Sequence, residues 1–445
     1  MYLKSIHIEN YRLLKNVTVA LDSGLTLFVG KNNTGKTSIM NIIESLCAGS
    51  TSLSFDDYPI ECRQKLYNAI IDYWNSETED PLGDFKRSVP VTKVTFVIDY
   101  SDGVLGNVSA FVIDLDETIN EAVVNVSFDI SEGIVNLLEK CKEKYNLVDD
   151  SDLTDANLIR RIKNIVHDSF ASFFSMKVFA VNPSNQADYL EKSRSDLQNL
   201  FCLKVIRAER DMDESGRDNP NPLKRILNAV FSNELEGIET DVQASMNSIQ
   251  QIVAQVNYDL NGQINTHLAT IMNNMLSFGY PSAEDLKLQA NTSMDVESSI
   301  VEDTKLVYLS PDTSESLPGS HNGLGYKNLI KISLELHEYA REVKKDRTRL
   351  PLLLIEEPEA HMHPQLQTTF VMYIDDFLLK TVGERIVQVL MTTHSAHVAN
   401  TVDFKKIRYI IRRIGYVECK MIADFPKIGT VDQQRESLDF LQKYM

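Results

Sequence analysis

A chain of 445 residues, 43% hydrophobic and 8% aromatic, is an ordinary soluble composition with room for two or three domains, each with its own core. With 63 acidic against 45 basic residues the formal charge is −18, so the average surface repels nucleic acid. A DNA contact stays open only for a local basic patch such as LIRRIK (158–163) or IRRIG (411–415). No apolar run approaches the roughly 18 residues of a membrane span.

In chain order, MYLKSIHIENYR alternates like a strand and lacks the apolar block of a secretion signal. Ile6 and Ile8 alternate, as do Val17, Val19 and Leu21, and LTLFVG (25–30) is a short buried run ending in glycine. Ile39, Ile43 and Leu46 recur at helical spacing, with Gly49 suited to the helix end. VTKVTFVIDYSDG (91–103) and NVSAFVIDLDE (107–117) read as neighbouring strands joined around a Ser-Asp-Gly turn. Cys47, Cys62, Cys141, Cys202 and Cys419 are widely spaced and form no C-x-x-C pair. They read as buried thiols in a reducing cytoplasm.

From 117 the texture turns helical. Leu235, Ile238, Val242, Met246, Ile249, Val253, Val256, Leu260, Ile264, Leu268 and Ile271 cover 36 residues in ten steps, a mean of 3.6. That is an amphipathic helix or helix pair, about 55 Å long if unbroken, with Gly262 as the expected interruption. It serves either core packing or dimerisation. DMDESGRDNPNP (211–222) and SPDTSESLPGSHNG (310–323) read as loops. Beyond them, Leu329, Ile332, Leu336 and Tyr339 mark a helix, LPLLLIEE (350–357) a buried strand, and Leu366, Phe370, Tyr373 and Phe377 another helix. IVQVLMTTH (386–394) and IRYII (407–411) are further strands. Apolar strands separated by helices imply a mostly parallel sheet covered on both faces.

GKNNTGKTS (30–38) fits G-x-x-x-x-G-K-[ST] at Gly30, Gly35, Lys36 and Thr37, with a buried strand before it and a helix after it. Gly30, Asn32, Asn33, Thr34, Gly35, Lys36, Thr37 and Ser38 are therefore expected around a nucleotide's phosphates. Backbone N–H groups and the helix N-terminus supply positive potential there. Lys36 is expected on the β- and γ-phosphates and the Thr37 hydroxyl on Mg²⁺.

IEEPEAHMHPQ (355–365) admits two readings, a metal-hydrolase centre or one edge of that nucleotide site. H-E-x-x-H is absent and no third ligand lies nearby, so the second is preferred. A strand ending in two carboxylates suits a phosphate-loop enzyme if it neighbours the loop's strand. Glu356 would then serve Mg²⁺, and Glu357 would orient and deprotonate the attacking water. His361 and His363 precede Pro364, which favours the first turn of a helix. TTHSAH (392–397) puts His394 just after a buried strand, where a residue sensing the γ-phosphate belongs. GSHNGLGYKNLI (319–330) leads glycines and a serine into a helix, offering N–H donors to an anion. Asp114/Asp116 and Asp211/Asp213 are the D-x-D candidates for a two-metal centre. They read as acidic strand ends and loops.

Together these motifs resemble, in order, the parts of ABC-type ATPases of the RecF and SMC kind, whose N-terminal strands LKSIHIENYRLLKNVTVAL also resembles. EEPEAHMHPQ and NGLGYKNLI are most similar to the OLD (overcoming lysogenisation defect) ATPases, many of which are anti-phage defence proteins. The resemblance implies an α/β, ABC-type P-loop ATPase head, a mixed sheet flanked by helices, with a large helical insert. Residues 1–116 and 305–445 would be its two lobes and 117–304 the mainly helical insert, used in dimerisation. ATP would be sandwiched between two protomers of a homodimer or higher oligomer. Lys36, Thr37, Glu356, Glu357 and His394 would come from one protomer, Ser320 and the Gly323 and Gly325 amides from the other, with EAHMHP crossing between the sites.

A glutamine ligand to Mg²⁺, also implied, is not placed by the sequence. Relatives commonly continue into a Toprim nuclease domain, whereas 51 residues follow His394 here, against the roughly 100 of a folded domain. The expectation is a cytoplasmic ATP hydrolase, not itself a nuclease, that controls a nuclease on a removed domain or a separate partner. The alternatives are an ATP-gated scaffold for an effector protein and a RecF-like DNA-repair ATPase.

Overall fold

A computed structural model describes residues 1–49, 52–103, 105–114, 116, 118–146, 155–207, 307–309, 316–318, 324–383 and 385–424, with scattered helical positions between 248 and 266. Contacts divide the chain into two units. Met1–Arg210 with Leu324–Met445 form one, and Asp211–Gly323 the other.

In the first unit, β1 (Tyr2–Tyr11), β2 (Leu14–Ala20) and β3 (Leu25–Val29) lead into α1 (Lys36–Cys47), followed by α2 (Ile60–Asn75) and α3 (Pro81–Ser88). Then come β4 (Thr92–Asp99), β5 (Glu121–Ile130), α4 (Ile134–Asn146), α5 (Asp155–Ser169), β6 (Phe174–Val181), β7 (Tyr189–Lys192), α6 (Arg194–Gln198) and β8 (Phe201–Arg207). The second unit contributes the antiparallel pair β9 (Val307–Leu309) and β10 (Ser316–Pro318). The chain re-enters the first unit with α7 (Leu324–Lys345), β11 (Leu350–Glu356), α8 (Pro364–Val382), β12 (Gln388–Thr393) and the short α9 (Ala396–Ala399). It closes with β13 (Ile407–Arg413) and β14 (Tyr416–Met421).

Two six-stranded sheets result. One is antiparallel throughout, in the order β2-β1-β4-β5-β6-β7. Its strands alternate as period-two sequences should: Ile6, Ile8, Val94, Phe96, Ile98, Val124 and Val126 point into the core, while His7, Lys93 and Thr95 do not. The other runs β14-β13-β3-β12-β11-β8, parallel except for edge strand β14. Its central strands are apolar on both faces because both faces are covered. Phe28, Leu352, Leu354 and Leu390 join the core shared with α1 and the antiparallel sheet. Leu27, Leu353, Ile355 and Met391 join the core under α7 and α8. Each such side chain contributes about 1.5–3 kcal/mol by leaving water. Three parallel strands thereby end at one sheet edge, and that edge carries the phosphate loop, the paired glutamates and His394.

Several expectations need correction. β11 is not the neighbour of β3, since β12 lies between them, paired in parallel to both. The described residues of 107–117 form no strand. Val108 and Phe111, three apart, bury themselves from a short 3-10 helix (Gly106–Phe111), and β4 pairs with β5 instead. The boundary at 117 does not divide the structure. β5, β6 and β8 belong to the first unit because their apolar faces complete its cores, and β7 joins it by pairing with β6. The loop read at 310–323 contains β10.

On the helical stretch 235–271, the described positions between 248 and 266 are helical, and most of the apolar repeat lies outside them. Gly262 does not interrupt the helix: it lies among helical residues 261–263, and the Thr266 hydroxyl donates to its carbonyl at 2.8 Å. A glycine weakens a helix by about 1 kcal/mol without breaking it. On α8 the buried face is Val371, Ile374, Leu378 and Val382, whereas Tyr373 is exposed.

Candidate active site

The phosphate loop starts where β3 runs out at Val29. Gly30 is required by space, because a Cβ there would sit 2.6 Å from the Ile410 carbonyl oxygen on β13. Asn33 (φ 63°) and Gly35 (φ 99°) are left-handed, which curls the loop back onto its own helix. Thr34, buried, closes the turn by donating to the Lys31 carbonyl at 2.9 Å. Gly35 occupies the N-cap of α1 and brings no side-chain cap, so the first-turn N–H groups remain available to an anion. Asn32, Asn33 and Thr37 are exposed and Ser38 half-buried at this mouth.

Lys36 is the charged centre of the loop. Its ammonium is buried and donates to the carbonyls of Gly30 (2.7 Å) and Lys31 (2.9 Å). Burial pulls its pKa below the usual lysine value, partly offset by the nearby Glu357 and Glu359 carboxylates. A desolvated ammonium beside free helix amides binds a polyphosphate more strongly than a hydrated one.

At the ends of β11 and β12, His394 Nε2 lies 2.8 Å from Glu357 Oε1, and its Nδ1 3.5 Å from Lys36 Nζ. Glu357 is left-handed (φ 45°), a strained state for a non-glycine residue. Its N–H is pinned by the Thr392 carbonyl (3.1 Å) and hydroxyl (3.2 Å) on β12. Both Glu357 and His394 remain partly exposed, so substrate and water can reach them.

Glu356 is different. Burial raises its pKa, the Glu44 and Glu357 carboxylates act in the same direction, and Arg207 opposes them. Arg207 Nε lies 3.8 Å from Glu356, and the same guanidinium bridges to Glu44 on α1. Glu356 Oε1 is buried without a hydrogen-bond partner. An orphaned carboxylate oxygen at the strand end, with the exposed Thr37 hydroxyl at the loop, is the hard oxygen donor set that suits Mg²⁺.

The histidine-rich loop makes no metal centre of its own: among the described residues no group of three or more His, Cys, Asp or Glu side chains could hold a metal ion. His363 caps α8, its Nδ1 accepting from the Gln365 N–H at 3.4 Å, while His361 (φ 62°) is exposed. Asp114 and Asp116 accept turn N–H groups, and Asp211 and Asp213 lie outside the described residues.

Of the glycine-rich stretch, Ser320 and Gly323 lie outside the described residues. Gly325 is buried in the first turn of α7, where a Cβ would meet the His361 carbonyl oxygen at 2.5 Å. Asn328, one turn on, donates to the Pro358 and Ala360 carbonyls at 3.2 Å each. Asn328, Arg207 and Glu44 were given no site role from the sequence, and Glu359 only a place in a loop. Arg207, the polar last residue of an apolar strand, was the one legible signal among them.

A family model described as AAA ATPase domain matches residues 1–399. The endonuclease GajA of Bacillus cereus (strain HuB5-5) is 24% identical to this chain over 491 aligned positions, which cover 100% of the chain and 66% of that protein. The chain thus spans just under two thirds of that relative's length. Among solved structures, the SMC head domain from Thermotoga maritima aligns with 95% of this chain and 99% of its own, at 10% identity and a TM-score of 0.39. An Smc head domain with an extended coiled coil, bound to the C-terminal domain of ScpA derived from Pyrococcus furiosus, aligns with 99% of each chain at 12% identity and a TM-score of 0.41.

Proposed function

The chain belongs to the AAA ATPase domain family, in the OLD-type branch its motifs resemble, and from that premise we propose that it hydrolyses ATP at an interface between two protomers to control a nuclease. One observation carries the chemistry: Lys36 and, more than 300 residues further along the chain, Glu357 and His394 meet through contacts of 3.5 Å or less at one sheet edge.

The phosphate-loop amides and Lys36 bind and orient the β- and γ-phosphates. Glu357 takes the proton of the attacking water, and His394 holds Glu357 and Lys36 in register so that base and phosphate face each other. Thr37 and Glu356 would hold Mg²⁺, which when bound neutralises charge on the phosphates.

A second protomer supplying Ser320, Gly323 and Gly325 fits the motif order, and the EAHMHP segment would then run between the two sites. The match along this whole chain to a protein called an endonuclease supports the nuclease link, and the motif resemblance to OLD ATPases supports a role in phage defence. The test is to follow the chain's mass in solution with and without ATP and Mg²⁺, and to pull down partners co-expressed from neighbouring genes. Dimerisation with ATP and capture of a nuclease support the reading. A monomer at every ATP concentration, or strong turnover with no nuclease in any complex, overturns it.

A further inference from the structure

Glu359 has no part in the mechanism above, yet its carboxylate makes two close contacts to the segment that carries His394. Oε1 accepts from the His394 N–H at 2.7 Å and from the Thr393 hydroxyl at 2.7 Å. These bonds span 34 and 35 residues of sequence, so they tie the loop after β11 directly to the end of β12. We propose that Glu359 is a positioning residue for His394: its Oε1 sets the backbone from which the imidazole reaches Glu357 and Lys36.

The surroundings favour this over loop-building. The loop's own carbonyls at Pro358 and Ala360 are already held by Asn328, and Gln367 donates to the Met362 carbonyl at 2.9 Å. The short helix after His394 is capped by Ser395, whose hydroxyl accepts from the Val398 N–H at 3.4 Å and donates to Gln367. Neither end needs a carboxylate for its own geometry. What Glu359 adds is a single oxygen shared between the Thr393 hydroxyl and the His394 N–H, two donors on either side of the Thr393 Cα–C bond, which restrains rotation about that bond. Its other oxygen, Oε2, is buried without a hydrogen-bond partner. An acid kept there against that desolvation cost is held by what its other oxygen accepts, the Thr393 hydroxyl and the His394 N–H.

The inference rests on the reading of His394 given above, and the experiment separates the two. ATP turnover, KM and nucleotide affinity are measured for the full chain as wild type, Glu359→Ala, Glu359→Gln, Glu359→Asp, His394→Ala and the Glu359→Ala/His394→Ala pair. Glu359→Ala should lower kcat on the order of tenfold with nucleotide affinity changed less than about twofold. Glu359→Gln, whose amide oxygen still accepts both bonds, should keep most of the activity. Glu359→Asp, charged but retracted by one methylene, should not. Once His394 is alanine, removing Glu359 should cost nothing further.

Full activity in Glu359→Ala, a Gln variant as slow as the Ala variant, or losses that add in the pair would each overturn the role of Glu359. Unchanged turnover in His394→Ala would instead overturn the reading of His394. Should the alanine variant fold poorly, the Gln-against-Asp comparison decides alone: Asp as active as Gln overturns the proposal.

Discussion

His394 and Glu357 share a 2.8 Å contact, and the same imidazole reaches Lys36 at 3.5 Å on its other nitrogen. If Nδ1 accepts from the ammonium, Nε2 carries the ring proton and donates to the carboxylate, which orients Glu357. A carboxylate so held is ready to accept a proton from water. Glu357→Gln removes that capacity and little else, because an amide can keep the histidine contact. Turnover should fall by about a hundredfold or more while ATP binding persists. Phosphate release alongside a binding titration checks it, and unchanged turnover would remove Glu357 from the base's role.

Gly30 should be intolerant of a single methyl. At 2.6 Å from the Ile410 carbonyl oxygen, a backbone group with nowhere to go, the added Cβ forces β3 and β13 apart. Gly30→Ala is expected to destabilise by roughly 1–3 kcal/mol and to lose ATP affinity together with stability. Gly24→Ala is the control, since its Cβ would come no closer than 3.7 Å to anything, a side-chain oxygen of Asp22. Equal melting temperatures for the two variants would contradict the geometry.

What was legible in the sequence follows from what is local. The phosphate loop and the strand ending in Glu356 and Glu357 were readable because turn glycines, helix start and apolar run all lie within a few residues. Strand order was not, because β12, which separates β3 from β11, is far from β3 in the chain and nothing in either strand's composition names its neighbour. Residues 107–117 misled for a related reason. Val108, Ala110 and Val112 alternate like a strand, yet burial of Val108 and Phe111 by neighbouring elements selects a 3-10 turn. Glu359 was invisible as a partner of His394, since a hydrogen bond across 35 residues leaves no periodicity to detect.

Arg207 should matter to the divalent ion more than to the fold. Its guanidinium is half exposed, but it is the cation beside two carboxylates, Glu44 and Glu356, the second of which burial already pushes towards its neutral form. Without it Glu356 becomes a poorer oxygen donor. For Arg207→Ala the Mg²⁺ concentration giving half-maximal turnover should rise on the order of tenfold, with Arg207→Lys intermediate. A Mg²⁺ titration of ATP turnover measures this, and a curve superimposable on the wild type would show that Arg207 only decorates the strand end.

The thiols should be inert in the folded chain. Cys202 and Cys419 are each pushed up to about 12 by burial, and Cys47, Cys62 and Cys141 are raised by the same cause. At pH 8 almost none is thiolate, so a thiol-specific reagent should label the native protein slowly and the denatured protein at all five positions. Fast labelling of any one in the native state would place it at the surface.

Stability should also weaken in acid at the turn that feeds β11. The Thr348 hydroxyl (2.7 Å) and N–H (2.9 Å) and the Arg349 guanidinium (2.6 Å) hold Asp346 down to about 2. Because the folded value lies below the ordinary aspartate value of about 3.9, the carboxylate's contribution is fully present above that pH and is lost as pH falls towards 2. The group is partly exposed, so solvent screening leaves about 1 kcal/mol at most. Asp346→Asn should therefore be less stable than the wild type at pH 6, with the gap closing as the pH drops towards 2.5, followed by urea denaturation at each pH. The turn joins α7 to the strand whose far end carries Glu356 and Glu357, so the same variant should leave ATP affinity intact at neutral pH while lowering the melting temperature. A stability gap that stays constant from pH 6 to pH 3 would mean that the ionised form of Asp346 is not what holds this turn.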